Sequence, residues 1–348
     1  MRLSERRRAR STRGHVRVDE TARFPRWLGG VIAGVILLVA AALLVVEVVL
    51  PALGSRGQAI RNSRTWFEFD PWAVFPDGVE SAGQIAARLR DNGIGTVYIE
   101  GTAWLSDGSL RVGEHAMAFA QGLREAYPEL RVLLWLRMSN EQIADETLRE
   151  RALDAARTAV FDWQYDGVQL NAYAVTNRSQ GYVQLVRALR EAIGPDALLS
   201  LTVPPDRIPT DPDVPIGLTV EPEMTWDAGF KLQVGLQKVD ELVIMAHAAG
   251  LQDEAAYSSW VAYQLESYAE ALEPNASGPR LAVAVPTYDA APGHDPEVES
   301  VRASIEGVER GRERLGQDST FDGIGLYIYS ATDSREWAIY RDVWLGLD

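Results

Sequence analysis

Short apolar runs recur along most of the chain and are separated by longer amphipathic stretches. The runs are rich in β-branched and aromatic residues, which favour strands, and they lie at 66–70, 96–100, 132–137, 167–172, 198–203, 242–246, 281–285 and 324–329. Between them, apolar residues recur with helical spacing, at 81–91, 114–127, 147–163, 182–193, 254–272, 296–315 and 335–345. Eight strands alternating with helices predict an α/β fold, a closed (β/α)8 barrel of parallel strands.

One much longer apolar run lies near the N-terminus. It contains no charge from 28 to 46 and continues past Glu47 to Leu53. About 20 apolar residues in a helix cross a hydrocarbon core of about 30 Å, so this run predicts a transmembrane helix. A cleaved signal peptide is the alternative, but its apolar region is typically about 7 to 15 residues long.

The charges beside the apolar run predict its orientation. Nine arginines precede it, and the positive-inside rule places such a flank in the cytoplasm, the arginines being Arg2, Arg6, Arg7, Arg8, Arg10, Arg13, Arg17, Arg23 and Arg26. We therefore expect a single-pass protein of the cell membrane that contacts the lipid bilayer through one helix. Its parts are a cytoplasmic tail, the anchor, a linker and an extracytoplasmic barrel, at 1–27, 28–53, 54–63 and 64–348.

Composition excludes several classes of function. The chain of 348 residues has no cysteine, which excludes disulfides, thiolate nucleophiles and cysteine-ligated metals. Its formal net charge is −15, and a basic N-terminus makes the remainder more acidic still, which argues against a nucleic-acid partner. No glycine-rich phosphate loop is present, and His247, His294, Asp289 and Asp295 lack the close spacing of metal ligands. We therefore expect no cofactor and no metal.

The strand predicted at 167–172 has one polar face. Asp166 and Gly167 form a turn into it, after which apolar residues alternate with Gln169 and Asn171. A polar face inside an otherwise apolar barrel indicates a site.

This segment resembles the catalytic strand of glycoside hydrolase family 18, the chitinase-like barrels. In that family, aspartates at alternate positions lead to a glutamate that protonates the departing sugar. The corresponding positions here are Asp166, Gln169, Asn171 and Tyr173, so only the first carboxylate is retained.

The resemblance extends to other predicted strands. The segment 243–248 is similar to the Met-x-Tyr-Asp of the family's sixth strand, with His247 in place of the tyrosine and Ala248 in place of the aspartate. The segments 199–204 and 283–288 look like its fifth and seventh strands. In the last strand, Tyr327 stands near a position where the family often has tryptophan.

The substitution at Tyr173 implies a loss of the family's reaction. Family 18 cleavage uses the glutamate as acid while the acetamido group of the sugar attacks, steered by the neighbouring aspartate. A tyrosine side chain has a reference pKa of about 10 and is a poor acid at neutral pH. Loss of a positioned general acid typically lowers the rate by about 10² to 10⁴. Asn171 can hold an acetamido group but cannot supply the missing negative charge.

Barrel enzymes carry their sites at the C-terminal ends of the strands and in the loops that follow. Polar and aromatic side chains there suit sugar hydroxyls and sugar faces, and the expected binding residues are Gln169, Asn171, Tyr173, His247, Tyr288, Tyr327, Trp72, Trp104 and Trp226. Packing within loops is the alternative for the tryptophans.

Relocated carboxylates are a second possibility for catalysis. Glu100 could work with Asp70 or Asp289 across the mouth of the barrel at glycosidase spacing. The alternative for Glu100 or Asp70 is a structural ion pair with Arg137.

Three hypotheses follow, and whether the chain is an enzyme stays open. The first is a membrane-anchored barrel that binds a cell-envelope or extracellular glycan and lacks family 18 hydrolysis. The second is an active glycoside hydrolase with the relocated carboxylates. The third is a non-catalytic scaffold for a protein partner, which predicts a mouth plugged by side chains and exposed apolar patches on the helices.

Overall fold

The structure, a computed structural model, describes residues 62–68, 81–218, 222–275, 277–316 and 320–347. The tail expected at 1–27, the transmembrane helix expected at 28–53 and nearly all of the linker expected at 54–63 lie outside the described residues. In the described part of the chain, no helix combines the length and the apolar character needed to cross a membrane.

Ten strands lie in the described residues: β1 (Ser63–Phe67), β2 (Ile94–Glu100), β3 (Thr102–Trp104), β4 (Leu110–Val112), β5 (Arg131–Ser139), β6 (Gly167–Tyr173), β7 (Leu198–Val203), β8 (Glu241–Ile244), β9 (Arg280–Pro286) and β10 (Phe321–Tyr327). The α-helices are α1 (Ala82–Asp91), α2 (Glu114–Ala126), α3 (Asn140–Ala144), α4 (Glu146–Arg157), α5 (Gln180–Ile193), α6 (Ala228–Gly235), α7 (Glu254–Leu272), α8 (Val301–Leu315) and α9 (Ser334–Ile339). A π-helical turn extends α4 over Thr158–Asp162 and another extends α9 over Tyr340–Leu345, and a 3₁₀ turn lies at Pro222–Met224.

Eight of the strands close a barrel in the order β1, β10, β9, β8, β7, β6, β5 and β2. Every neighbouring pair in this ring is parallel. The predicted (β/α)8 barrel is therefore confirmed, and each predicted strand overlaps one of the eight. The remaining strands, β3 and β4, form a separate antiparallel hairpin after the C-terminal end of β2.

Helix boundaries differ from the predicted ones where capping decides them. The helix predicted from 296 begins at Val301, because the Ser300 side chain accepts a hydrogen bond from the Ala303 N–H and caps it. The α-helix predicted to reach 163 ends at Arg157 and continues as the π-helical turn. Helix α6, capped by Asp227, is short and was not predicted.

The interior of the barrel is filled by side chains. Trp66, Tyr98 and Trp135 are fully buried and pack with small and branched residues from the facing strands. Gln169 is also fully buried. Its Oε1 accepts a hydrogen bond from Trp66 Nε1 at 2.5 Å, and its Nε2 donates to Ser200 Oγ at 3.2 Å. The barrel interior is thus a packed core in which the Gln169 amide is hydrogen-bonded, and a larger apolar core lies between the strands and the helices.

Charged groups concentrate at the N-terminal end of the barrel. Arg64 is fully buried and forms ion pairs with Glu241 at 2.6 Å and with Asp322 at 2.8 Å. Asp166 precedes β6, and its Oδ2 accepts hydrogen bonds from the Val132 N–H at 2.7 Å and from Arg124 at 2.6 Å. Asp166, the one carboxylate that the motif retains, therefore stabilises the start of β6. This is the end of the barrel opposite to the one where barrel sites form.

Candidate functional site

A cavity of about 370 Å³ lies at the C-terminal end of the barrel. Strands β5, β6, β7 and β10, with the segments that follow β7 and β8, build its wall. The polar and aromatic residues on this wall are Arg137, Asn171, Tyr173, Thr202, Arg207, His247 and Tyr327. Four of them, Asn171, Tyr173, His247 and Tyr327, were expected from the sequence.

Strand register brings the first polar groups of the wall together. Arg137 and Asn171 are direct partners in the parallel pairing of β5 with β6. Thr202 Oγ1, on the next strand, donates a hydrogen bond to Asn171 Oδ1 at 3.1 Å. This bond fixes the Asn171 amide so that its NH₂ group, which has two donors, remains for a ligand.

His247 follows β8 and packs against two tyrosines. Its ring stacks on the Tyr327 ring with centroids 5.2 Å apart and an interplanar angle of 15°. Its Nδ1 lies 2.8 Å from Tyr288 Oη. Tyr288 itself is not on the cavity wall, so its place is behind the imidazole.

Burial, with smaller electrostatic contributions from His294 and Arg207, lowers the pKa of His247 to about 3. The imidazole is therefore neutral at pH 7, with one nitrogen as donor and the other as acceptor. Its Nε2 is enclosed and has no hydrogen-bond partner among the described residues.

Two tyrosines give the cavity aromatic surface. Tyr173, at the end of β6, is 50% exposed and stands on the wall where a sugar face can pack against it. Tyr327 makes edge contacts with Trp66 and Trp135, and burial raises its pKa to about 12. The Tyr327 phenol is therefore a neutral hydrogen-bonding group, and both residues present flat apolar rings.

The tryptophans expected at the mouth have different positions. Trp104, in β3, is partly exposed, and its Nε1 donates to the Arg137 carbonyl at 2.8 Å, which places the hairpin beside the cavity. Trp226 is 3% exposed, packs against Phe230 and donates to the Val175 carbonyl at 3.1 Å. Packing, not ligand contact, accounts for Trp226.

Two other expected residues, Trp72 and Asp70, lie outside the described residues.

Gln169 also differs from the expectation. It shares a strand face with Asn171, but it lies two residues earlier, which is about 6.6 Å deeper along a strand. At that depth the face is the packed interior, and both ends of the Gln169 amide are occupied by Trp66 and Ser200.

Two of the expected catalytic carboxylates, Glu100 and Asp289, are not on the cavity wall. Glu100, at the end of β2, accepts a hydrogen bond from Arg137 Nη1 at 3.3 Å, which confirms the ion pair considered as its alternative role. Burial raises the pKa of Glu100, and Arg137 opposes that shift. Asp289 is exposed in the loop after β9. Among the described residues, the wall contains no carboxylate.

Arg207 is the main wall residue that the sequence did not indicate. It lies in the loop after β7, separated by one residue from the pair Pro204 and Pro205. The proline pair indicates where the strand ends, but it does not indicate which later side chain points back to the cavity. Its Nη1 donates to the Ala248 carbonyl at 2.5 Å.

A buried carboxylate supports the segment that Arg207 contacts. Glu299, 1% exposed, accepts hydrogen bonds from the Ala248 N–H at 2.8 Å and the Ala249 N–H at 2.7 Å. It also lies 2.7 Å from His294 Nδ1. The buried Glu299 side chain therefore stabilises the segment that carries His247.

No family model matches the chain, and no curated protein sequence matches it. Solved structures do resemble it. The spore cortex-lytic enzyme SleL of Bacillus cereus superposes with a TM-score of 0.54 at 11% identity, over 82% of this chain and 74% of that one. A class V chitinase mutant of Cycas revoluta, in complex with (GlcNAc)3, gives 0.53 at 14% identity, over 81% and 99%. A family 18 N-acetylglucosaminidase of Paenibacillus barengoltzii gives 0.51 at 12% identity, over 82% and 99%. The chain thus has the barrel fold of glycoside hydrolase family 18 proteins, as its motifs indicated.

Proposed function

We propose that the barrel binds a glycan in the cavity at its C-terminal end and does not cleave it by the family 18 mechanism. The observation that carries this proposal is the wall itself, which offers neutral hydrogen-bonding groups and tyrosine rings but, among the described residues, no carboxylate.

The chemistry of the wall suits a sugar. The Asn171 amide, held by Thr202, provides hydrogen bonds for hydroxyl or acetamido groups. The exposed ring of Tyr173 provides a flat apolar surface for a pyranose face. A volume of about 370 Å³ lies within the range of about 300 to 1,000 Å³ that is usual for ligand sites.

In the described part of the chain, the same wall lacks the groups for family 18 hydrolysis. Tyr173 presents a phenol where the resemblance places the glutamate acid, and Asn171 presents an amide where it places an aspartate. Asp166 is engaged at the other end of the barrel by Arg124 and the Val132 N–H. These three positions therefore supply neither the proton donation nor the charge stabilisation that family 18 cleavage uses.

An active hydrolase is the second candidate, and one observation favours it. Burial raises the pKa of Glu100, as expected for a general acid in a glycosidase. This candidate needs Asp70 or the exposed Asp289 as partner. If Glu100 is the acid, Glu100→Gln abolishes a measured hydrolysis. An activity unchanged by this substitution removes the candidate.

The scaffold hypothesis predicts a plugged mouth. The open cavity at the C-terminal end of the barrel favours a small ligand or a glycan chain instead.

Truncation of Tyr173 tests the binding proposal. We expect Tyr173→Ala to weaken binding of an N-acetylglucosamine oligosaccharide to the full chain by about fivefold or more, since an aromatic ring contributes about 1 kcal/mol or more at such contacts. Phe161→Ala is the matched control, because Phe161 is an exposed aromatic residue, 62% accessible, on the outer helical layer. Equal effects of the two substitutions on calorimetric titrations would remove the cavity as the binding site.

We further propose that the chain is anchored in the cell membrane with the barrel outside. The apolar run at 28–46 and the arginines before it support this topology. Because the chain has no cysteine, single cysteines report the topology directly. A membrane-impermeant maleimide should label Glu306→Cys in intact cells and Ser11→Cys only after lysis. The reverse pattern, or labelling of neither variant before lysis, contradicts it.

A further inference from the structure

Two arginines line the cavity, and among the described residues no carboxylate does. Arg137 enters from β5, and Arg207 enters from the loop after β7. Binding a neutral sugar does not require two guanidinium groups. Building on the proposed function, we propose that the cavity selects a glycan that bears an acidic group, a carboxylate or a phosphate, and that Arg207 binds this group.

Arg207 has donors to spare. A guanidinium group has five N–H donors in a planar fork, and the structure engages Nη1, with the Ala248 carbonyl at 2.5 Å. Among the described residues, no carboxylate lies within ion-pair distance of Arg207. The fork matches the two oxygens of a carboxylate or phosphate better than a single hydroxyl.

Glu299, the carboxylate that acts on Arg207, already has other hydrogen-bond partners. Glu299 interacts electrostatically with Arg207, but its oxygens accept hydrogen bonds from the Ala248 and Ala249 N–H groups and contact His294. Burial lowers the pKa of Arg207, and this partly desolvated cation forms no ion pair with a described carboxylate. An acidic ligand group would supply a counterion.

Arg137 contributes less than Arg207 to binding the acidic group. Its Nη1 contacts Glu100 at 3.3 Å, and its guanidinium lies 5.3 Å from the centre of the Trp135 ring. The Glu100 charge offsets that of Arg137, so the selection for acidic ligands depends mainly on Arg207.

The acidic body does not prevent this recognition. The net charge of −15 repels anions at long range, but salt at about 0.15 M screens charges beyond about 8 Å. Contacts inside the cavity are much less screened. The preference for acidic ligands should therefore appear in the affinity, with little gain in the rate of encounter.

The test measures the binding of three oligosaccharides of equal length to the full chain. One is a neutral N-acetylglucosamine oligosaccharide, the second is a hexuronate oligosaccharide and the third is a phosphorylated oligosaccharide. We expect one acidic oligosaccharide to bind about tenfold or more tightly than the neutral one at about 50 mM salt, and the tighter acidic ligand identifies the group. Arg207→Gln should abolish the difference. Arg302→Gln, which removes an exposed charge on α8, should leave it unchanged.

Two further measurements keep the test decisive if Arg207→Gln fails to fold. Arg207→Lys, which keeps the charge but loses the fork, should retain part of the preference. Raising the salt concentration should weaken binding of the acidic ligand to the unmodified chain more than binding of the neutral one. Neutral binding at least as tight as both acidic ones overturns this inference and leaves the proposed function standing. Binding of no oligosaccharide overturns both.

Discussion

Tyr288 Oη lies 2.8 Å from Nδ1 of His247, and this contact sets the orientation of the imidazole on the cavity wall. Stacking on Tyr327 fixes the ring plane. Because burial lowers the pKa of His247 to about 3, the ring is neutral at pH 7 and contributes an uncharged aromatic group to the cavity wall.

The neutral imidazole predicts a loss of stability in acid. An unfolded histidine has a pKa of about 6.5, so between pH 6.5 and about 3 the unfolded chain takes up a proton that the folded chain does not. The free energy of unfolding should therefore fall as pH decreases through this window, and this histidine should add no slope above it. Compared with His247→Gln, we expect an extra loss of up to about 1 kcal/mol per pH unit in urea titrations between pH 7 and pH 5. Parallel slopes for the two proteins would rule out this assignment.

The hydrogen bond between Gln169 and Trp66 predicts a structural role for Gln169. Gln169→Leu leaves Trp66 Nε1 and Ser200 without this partner in the barrel interior, and we expect it to lower the free energy of unfolding by about 1 to 3 kcal/mol. Gln121→Leu, at an exposed position on α2, is the control and should change it by less than about 0.5 kcal/mol. If Gln169→Leu is as stable as the control, the amide does not hold the interior together.

Glu299 predicts a link between stability and binding. Glu299→Gln replaces a carboxylate that accepts two backbone N–H groups and contacts His294, and charge-assisted hydrogen bonds of this kind contribute about 1.5 to 3 kcal/mol each. We expect a lower melting temperature and weaker glycan binding, because the segment that carries His247 loses its support. Glu306→Gln, exposed on α8, should alter neither property. Binding unaffected by Glu299→Gln would show that the segment needs no such support.

Restoring the acid should restore some cleavage. In the double variant Asn171→Asp with Tyr173→Glu, both carboxylates stand on the cavity wall, and a positioned general acid raises rates by about 10² to 10⁴. We expect hydrolysis of a fluorogenic N-acetylglucosamine oligosaccharide near the low end of this range above the unmodified chain, since Ala248 still lacks a carboxylate. Tyr173→Phe is the control without an acid. A double variant no faster than this control contradicts the role assigned to the two positions.

The barrel could be predicted because strand and helix periodicities are local properties of the sequence. The predicted run at 242–246 became the strand Glu241–Ile244, an error of one or two residues at its ends. The hairpin β3–β4 was missed because its two strands have three residues each, too few to show an alternation. Helix α6 has eight residues and gives too short a periodic pattern.

The site was only partly predictable because depth and loop paths are properties of the fold. The alternation of polar and apolar residues placed Gln169 and Asn171 on one face of the strand. It did not show that this face is packed in the barrel interior at Gln169 and open to the cavity at Asn171. Trp226 lies in a loop by sequence, yet it packs on Phe230 beneath that loop. Arg207 reaches the cavity through a loop whose path no local pattern specifies.

The proposed function requires a glycan that is bound and left intact, and one measurement tests this directly. The full chain is titrated with the neutral and acidic oligosaccharides, and the ligand recovered after saturation is analysed by mass spectrometry. We predict saturable binding of at least one oligosaccharide, weakened by Tyr173→Ala, with the ligand recovered at its original length after prolonged incubation. Absence of binding by every oligosaccharide, or recovery of shortened products, would contradict the account.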